Sequence, residues 1–487
     1  MTTAAAPLPL PDERTTVTAA RDRLAIGILL VATFVVILNE TIMSVAQAVV
    51  MRELSITESA GQWLTTAFLL TTAVVIPVTG WMLQRFPTRG VFVVAMTLFT
   101  AGTLIAALAP GFAVLVTARV VQAGGTAIML PLLFTTVLEL VPEHRRGRIM
   151  GNISIVMSVA PAIGPTVSGM VLQLLGWRWV FVVVLPFAIA ALVLGALRIP
   201  TVNEPRRAPL DIPSVVVSAF AFGGLVYGLS ALGPATSGQA AAWTAWLPLG
   251  VAVVALGAFV ARQPRLQRRD AALLDLRVFR SRTFSAAMAM AVASMMALLG
   301  TLTLLPLYLQ NVLGEPSLAI GLAVLPGGLV MGLLGPAVGR LYDRVGPRPV
   351  LLAGAIVVSA ALWAMALLLS DTSPLTLVVG LHLLLSTGLA LLFTPLFTAG
   401  LGAVPAPLYS HGSAVLGTVQ QVAGAAGVAV FVTVLAAFAG DTSHGVADVE
   451  AYAHGVRTAL AVGALASLAS IPLSLLVRRQ PTTAVGE

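Results

Sequence analysis

Long apolar stretches alternate with short polar ones along this chain. Apolar runs of the roughly 20 residues a helix needs to cross a bilayer fall near 24–49, 61–83, 90–109, 112–138, 149–172 and 178–197. A pair follows at 212–232 and 243–261, then a second set near 284–307, 319–342, 349–369, 375–398, 413–438 and 455–477. This pattern predicts an all-α polytopic membrane protein with fourteen transmembrane helices arranged six, two, six. The even count puts both termini on one side. Residues 1–23 read as a polar, disordered tail and 24–197 as a six-helix bundle. Residues 198–283 read as an inserted helix pair with a basic linker, 284–477 as a second six-helix bundle and 478–487 as a closing tail.

Of the 487 residues 58% are apolar and 9% charged, with a mean hydropathy of +0.99, which excludes an ordinary water-soluble domain. All 27 basic residues are arginine, so the basic balance reflects charges placed around membrane spans rather than a nucleic-acid footprint. With an N-terminus in the cytoplasm, all of them except Arg52, Arg119, Arg178 and Arg457 lie on the cytoplasmic side, as the positive-inside rule requires. The loop 439–454 is acidic and reads as external. The segment SVAQA, residues 44–48, resembles a signal-peptidase site, but the apolar run before it is too long for a signal core and carries Glu40. The first helix is therefore expected to be retained.

There is no cysteine, which excludes a disulfide, a thiolate metal site and a cysteine nucleophile. Without a Walker sequence, a nucleotide-binding loop or a His/Glu metal motif, no cofactor, metal or ATP-driven step is expected. No catalytic constellation points to an enzyme. The linker RQPRLQRRDAALLDLRVFRSR, residues 262–282, alternates Leu/Ala with Arg. It reads either as an amphipathic helix on the inner leaflet or as a basic tether.

One pattern occurs twice. In PVTGWMLQRFPTR the residues Gly80, Arg85 and Arg89 line up with Gly339, Arg344 and Arg348 of PAVGRLYDRVGPR. The chain therefore consists of two related halves, the usual build of a secondary transporter with its site between them. Glu40 is the one carboxylate well inside a predicted span and Arg119 the one arginine so placed. A charge at that depth costs about 2.5 to 3.5 kcal/mol or more and is normally paired or faces a cavity. The two lie at similar depth, as a proton-exchanging couple or as a structural ion pair. Asn39, Gln122 and Asn152 are polar candidates for the same cavity, with His382, Gln420 and Gln421 in the second half. His382 reads as a second proton site or as a hydrogen-bonded structural histidine. In APAIGPTVSG, the small residues Gly164 and Gly169 and the helix-bending Pro165 let neighbouring helices approach. Met288, Met290, Met295 and Met296 offer a soft pocket wall or lipid-facing filler.

From its first to its last predicted helix the chain resembles the fourteen-helix drug/proton antiporters of the major facilitator superfamily. GWMLQRFPTR and GRLYDRVGPR are similar to the superfamily's loop motif and its echo. LVTARVVQAGGTAIMLP is similar to the helix 4 motif, APAIGPTVSG to the antiporter motif of exporters, and LNETIMSVA to the helix 1 motif of this group. The resemblance implies a proton-coupled multidrug efflux antiporter of the inner (cytoplasmic) membrane, working by alternating access as a monomer. Its partners would be amphipathic, cationic drugs or antibiotics, protons and the lipid bilayer, with no nucleic acid. Arg119 would be the proton-transfer arginine. The chain departs from the family where Gln84 and Pro87 replace Asp and Gly of the first loop motif, while Asp343 keeps the carboxylate in the second. The usual helix 1 carboxylate position is Asn39, with Glu40 one residue later. Uptake or uniport of a small metabolite is the rival reading, and a membrane enzyme or sensor the more distant one.

Overall fold

The computed structural model of the protein describes residues 13–203, 205, 209–236, 240–438 and 449–478. Fourteen helices among them are long and apolar enough to cross a membrane. The first half comprises α1 (Glu13–Glu53), α2 (Glu58–Arg85), α3 (Thr88–Ala107), α4 (Phe112–Leu140), α5 (Glu143–Leu175) and α6 (Trp177–Arg198). The inserted pair is α7 (Ile212–Gly233), which contains a π-helical turn at Ala219–Gly223, and α8 (Trp243–Gln267). The second half comprises α9 (Arg282–Asn311), α10 (Ser317–Val345), α11 (Pro347–Leu368), α12 (Leu375–Gly402), α13 (Tyr409–Phe438) and α14 (Val449–Leu476).

One expectation needs correction, and one of the two alternatives for the linker drops out. Part of the segment 1–23, expected to be unstructured, is helical: α1 runs back to Glu13, and no glycine or proline interrupts residues 12–23. Residues 1–12, most of the acidic loop 439–454 and the tail beyond Arg478 lie outside the described residues. The linker forms no amphipathic surface helix. After α8 it turns, buries Ala272, Leu273, Leu274 and Val278 in the core, and makes a short 3-10 turn at Leu276–Arg280. Its apolar side chains gain more by packing under the bundle than by lying in the headgroups.

The inserted pair is pinned at one end by a cap. The Asp211 carboxylate accepts from the Ser214 N–H at 3.0 Å and takes both Arg262 Nε and Nη2 at 2.8 Å. The Arg262 hydrogen bond beside it holds the Asp211 carboxyl well below the usual carboxylate range. α7 then packs along the seam where α2 meets α13.

The two halves meet along two seams, α5 against α10 and α2 against α13, with smaller contacts of α4 with α13 and α5 with α12. One end of the molecule carries Arg85, Arg89, Arg145, Arg148, Arg340, Arg344 and Arg348 on its helix ends. At this arginine-rich end α5 and α10 touch backbone to backbone. A Cβ on Gly147, Gly151, Gly335 or Gly339 would overlap the main chain of the opposite helix, so only glycine permits the approach.

Candidate functional site

A cavity of about 690 Å³ lies between the halves, walled by α1 and α5 on one side and by α9, α10 and α12 on the other. Its lining on α5 runs from Ser154 to Thr166, on α9 from Met295 to Pro306, and on α10 from Ile320 to Met331. All three stretches lie away from the arginine-rich helix ends, so the cavity occupies the middle and the arginine-poor part of the molecule.

Closure at the other end is built from bonds between the halves. Asp343 accepts from the backbone N–H of Gly147 and of Arg148, each at 3.1 Å. The hydroxyl pairs Ser154–Thr394 and Thr135–Ser413 are each 2.7 Å long. Arg146, which the sequence does not separate from its exposed neighbours, is buried. It donates to the carbonyls of Leu138 at 2.8 Å and Val141 at 3.1 Å and to the Tyr409 hydroxyl at 3.4 Å. Asn203, also missed, donates to the Leu83 and Phe86 carbonyls and accepts from Thr88, holding the turn after α2.

Glu40 is on the cavity wall. Gly164 of α5 lets α1 approach beside it, since a Cβ there would overlap the Thr41 side chain, and Pro165 lines the cavity nearby. Arg119 is almost wholly buried at 1% exposure. Its Nη1 donates to Gln122 Oε1 at 2.5 Å and its Nε to the Leu64 carbonyl at 3.4 Å, and the guanidinium lies 4.1 Å from the centre of the Phe68 ring. Gln122 in turn donates to Thr103 at 2.8 Å. Glu40 and Arg119 feel each other's charge, yet no ion pair within 4 Å joins them among the described residues. The two are a charge pair across a gap rather than a contact ion pair, because Arg119 is held by its own helix and by α2.

Of the six polar residues expected to meet a ligand, His382 alone lines this cavity. Asn39 precedes Glu40 by one residue, about 100° around the helix, and points into the bundle at 1% exposure with neither side-chain polar atom hydrogen-bonded. Gln122 is spent on Arg119, and Asn152 is half-buried off the cavity. Gln421 donates to Thr72 across the α2/α13 seam at 3.2 Å, and the buried Gln420 leaves its Nε2 without a partner away from the cavity. Membrane depth, readable from sequence, places these residues at one level. Helix rotation, set by packing, turns them elsewhere.

His382 is 3% exposed, and neither ring nitrogen has a hydrogen bond of good geometry, although the Val324 carbonyl of α10 is within reach. Its imidazole fills space left by Gly327, where any Cβ would overlap it. Glu40 and His382 are the titratable groups among the lining residues, and the rest of the wall is hydroxyls and apolar groups such as Ser158, Ser386, Met157 and the stacked pair Phe393 and Phe397. Of the four methionines Met295 reaches the cavity, while Met288 and Met290 are buried in the bundle. Gly169 faces open space. Arg85, Arg89, Arg344 and Arg348 are exposed at the arginine-rich end, and Gly80 packs against His411 and Ala414 of α13.

The family model of the Major Facilitator Superfamily matches residues 29–428. A lincomycin resistance protein, LmrB, of Listeria monocytogenes is 40% identical over 456 residues, 92% of this chain and 95% of its own. A multidrug resistance protein B homolog of Mycobacterium tuberculosis is 31% identical, covering 85% of this chain and 77% of that one. The human organic anion transporter MFSD10 superposes with a TM-score of 0.64 at 16% identity, covering 96% of this chain and 100% of that one. That likeness concerns the fold.

Proposed function

This chain belongs to the Major Facilitator Superfamily, and we propose that it is a proton-coupled drug exporter. It is a multi-pass membrane transporter and not an enzyme. By the positive-inside rule the arginine-rich end faces the cytoplasm, with both termini there. The conformation described is then closed toward the cytoplasm, with its cavity in the outer part of the molecule, as in a state that releases drug and takes up protons.

The observation that carries this reading is Glu40 on the wall of a mostly apolar cavity, opposite His382 and in front of the buried Arg119. A cavity of about 690 Å³ suits drug-sized ligands, which occupy sites of roughly 300 to 1,000 Å³. A carboxylate there binds either a proton or the cationic group of an amphipathic molecule, and that competition is the essence of exchange. Arg119 stabilises the empty, ionised carboxylate between the two occupancies. Each charge carried across contributes about 2.3 kcal/mol per 100 mV, so a drug gradient is built without ATP. The names of the relatives place lincosamides among the first substrates to try. One chain contains both walls of the cavity, so a monomer suffices.

The test is proton movement in everted vesicles on adding a lipophilic cation, a lincosamide and a sugar in turn. The cation or the lincosamide is expected to elicit proton flux, and Glu40→Gln to abolish it with the protein still inserted. A response to the sugar alone, or wild-type flux in Glu40→Gln, overturns the reading.

A further inference from the structure

We propose that the cleft between the arginine-rich ends of α5 and α10 binds the phosphate headgroup of an anionic phospholipid. The cleft has a volume of about 410 Å³ and is lined by His144, Arg145 and Arg148 of α5 and by Arg340, Asp343 and Arg344 of α10. The four guanidiniums are exposed, and none makes a side-chain hydrogen bond or ion pair among the described residues. The one carboxylate already accepts the Gly147 and Arg148 N–H groups. Four positive charges thus face one negative charge that is engaged elsewhere.

They are gathered by the seam itself. The glycine contacts bring the α5 and α10 backbones together and carry the arginines of both halves into one cleft. Like charges brought this close repel unless an anion sits between them, and planar guanidiniums are well suited to phosphate oxygens.

The surface beside the cleft says which source supplies that phosphate. Leu333, Ala337, Leu341 and Val345 recur at four-residue spacing on α10, all exposed. They form an apolar stripe leading from mid-helix to Arg340 and Arg344. The stripe is about 18 Å long at helical rise, about the depth of one leaflet of a hydrocarbon core roughly 30 Å thick. A soluble phosphate would use the arginines and ignore the stripe, whereas a phospholipid uses both. Because each half supplies part of the cleft, the lipid favours the closed arginine-rich end, and separation of α5 from α10 dismantles its site. This proposal does not depend on proton coupling or on the identity of the drug.

The experiment measures binding to the purified full chain in detergent by native mass spectrometry, alongside the thermal unfolding midpoint. The probes are dioleoyl phosphatidylglycerol, dioleoyl phosphatidylcholine and inorganic phosphate. Phosphatidylglycerol is expected to bind and raise the midpoint, with phosphatidylcholine and phosphate doing neither. Arg340→Gln with Arg344→Gln should weaken phosphatidylglycerol binding about thirty-fold, the effect of two charges at a membrane surface. Arg145→Gln with Arg148→Gln should do the same from the other half and decides the matter if the first pair misfolds. Arg85→Gln with Arg89→Gln, outside the cleft, should leave the lipid affinity unchanged. Equal binding of the two lipids, protection by inorganic phosphate alone, or wild-type affinity in a folded cleft variant overturns the proposal.

Discussion

The repeated motif ends two helices that close two different seams, and it closes them unequally. On α10, Gly339 meets the backbone of α5, and Asp343 four residues later takes two N–H groups of that helix at 3.1 Å. On α2, Gly80 meets the side chains of His411 and Ala414, and Gln84 four residues later makes one neutral bond of 3.3 Å to the Pro407 carbonyl. Duplication has kept the geometry of glycine and polar residue one turn apart. It has not kept the chemistry. Hydrogen bonds to an ionised acceptor contribute roughly 1.5 to 3 kcal/mol and neutral ones about 0.5 to 1.5, so the α5/α10 seam is latched by charge and backbone. The α2/α13 seam is held by softer side-chain contacts such as Gln421–Thr72, with the Thr135–Ser413 pair joining α4 to α13 beside it and α7 packed along its outside.

Because the chain has no cysteine, a single cysteine introduced at Ser158, on the cavity wall one turn beyond the Ser154–Thr394 closure bond, reports opening through its labelling rate from the arginine-rich side. The largest effect is expected for Gly339→Val. Its side chain would have to enter the α5 main chain, and overpacking of this kind costs typically 1 to 3 kcal/mol or more. Labelling should become fast and export should fall sharply. A slow-labelling, active Gly339→Val protein would show that the backbone contact is dispensable.

Next comes Asp343→Asn, which removes the charged acceptor while keeping the size. A rise in labelling of roughly ten- to a hundred-fold is expected from the loss of a charged acceptor. On the α2 side Gly80→Ala and Gln84→Ala should each change labelling by only a few-fold. The neighbours of Gly80 stand 3.1 to 3.4 Å from an added Cβ and are mostly side chains, and the Gln84 bond is neutral. If Gln84→Ala matched Asp343→Asn, the claimed inequality of the seams would be gone. The smallest effect, and the sharpest, belongs to Gln84→Asp. Restoring the family's usual carboxylate should not tighten this seam, because the group it faces is the Pro407 carbonyl, which has no hydrogen to give.

Much of the molecule was legible from order along the chain alone. The fourteen spans, the duplicated halves and the exceptional status of Glu40 and Arg119 follow from hydrophobic run length and from the cost of charge in a bilayer. Those quantities depend on the chain and the membrane, not on neighbouring helices. The glycines of both motif copies were visible too, though not what each would touch. Tertiary structure decided the rotation of each helix. It turned Glu40 to the cavity and Asn39 away, spent Gln122 on Arg119, sent Gln421 to a seam, and left His382 against Gly327 at the wall. It also drew the linker's leucines inward and buried Arg146 among exposed arginines. A one-residue step around a helix is about 100°. In a membrane, where apolar side chains are content on every face, only close packing against small residues far away in the chain selects one orientation.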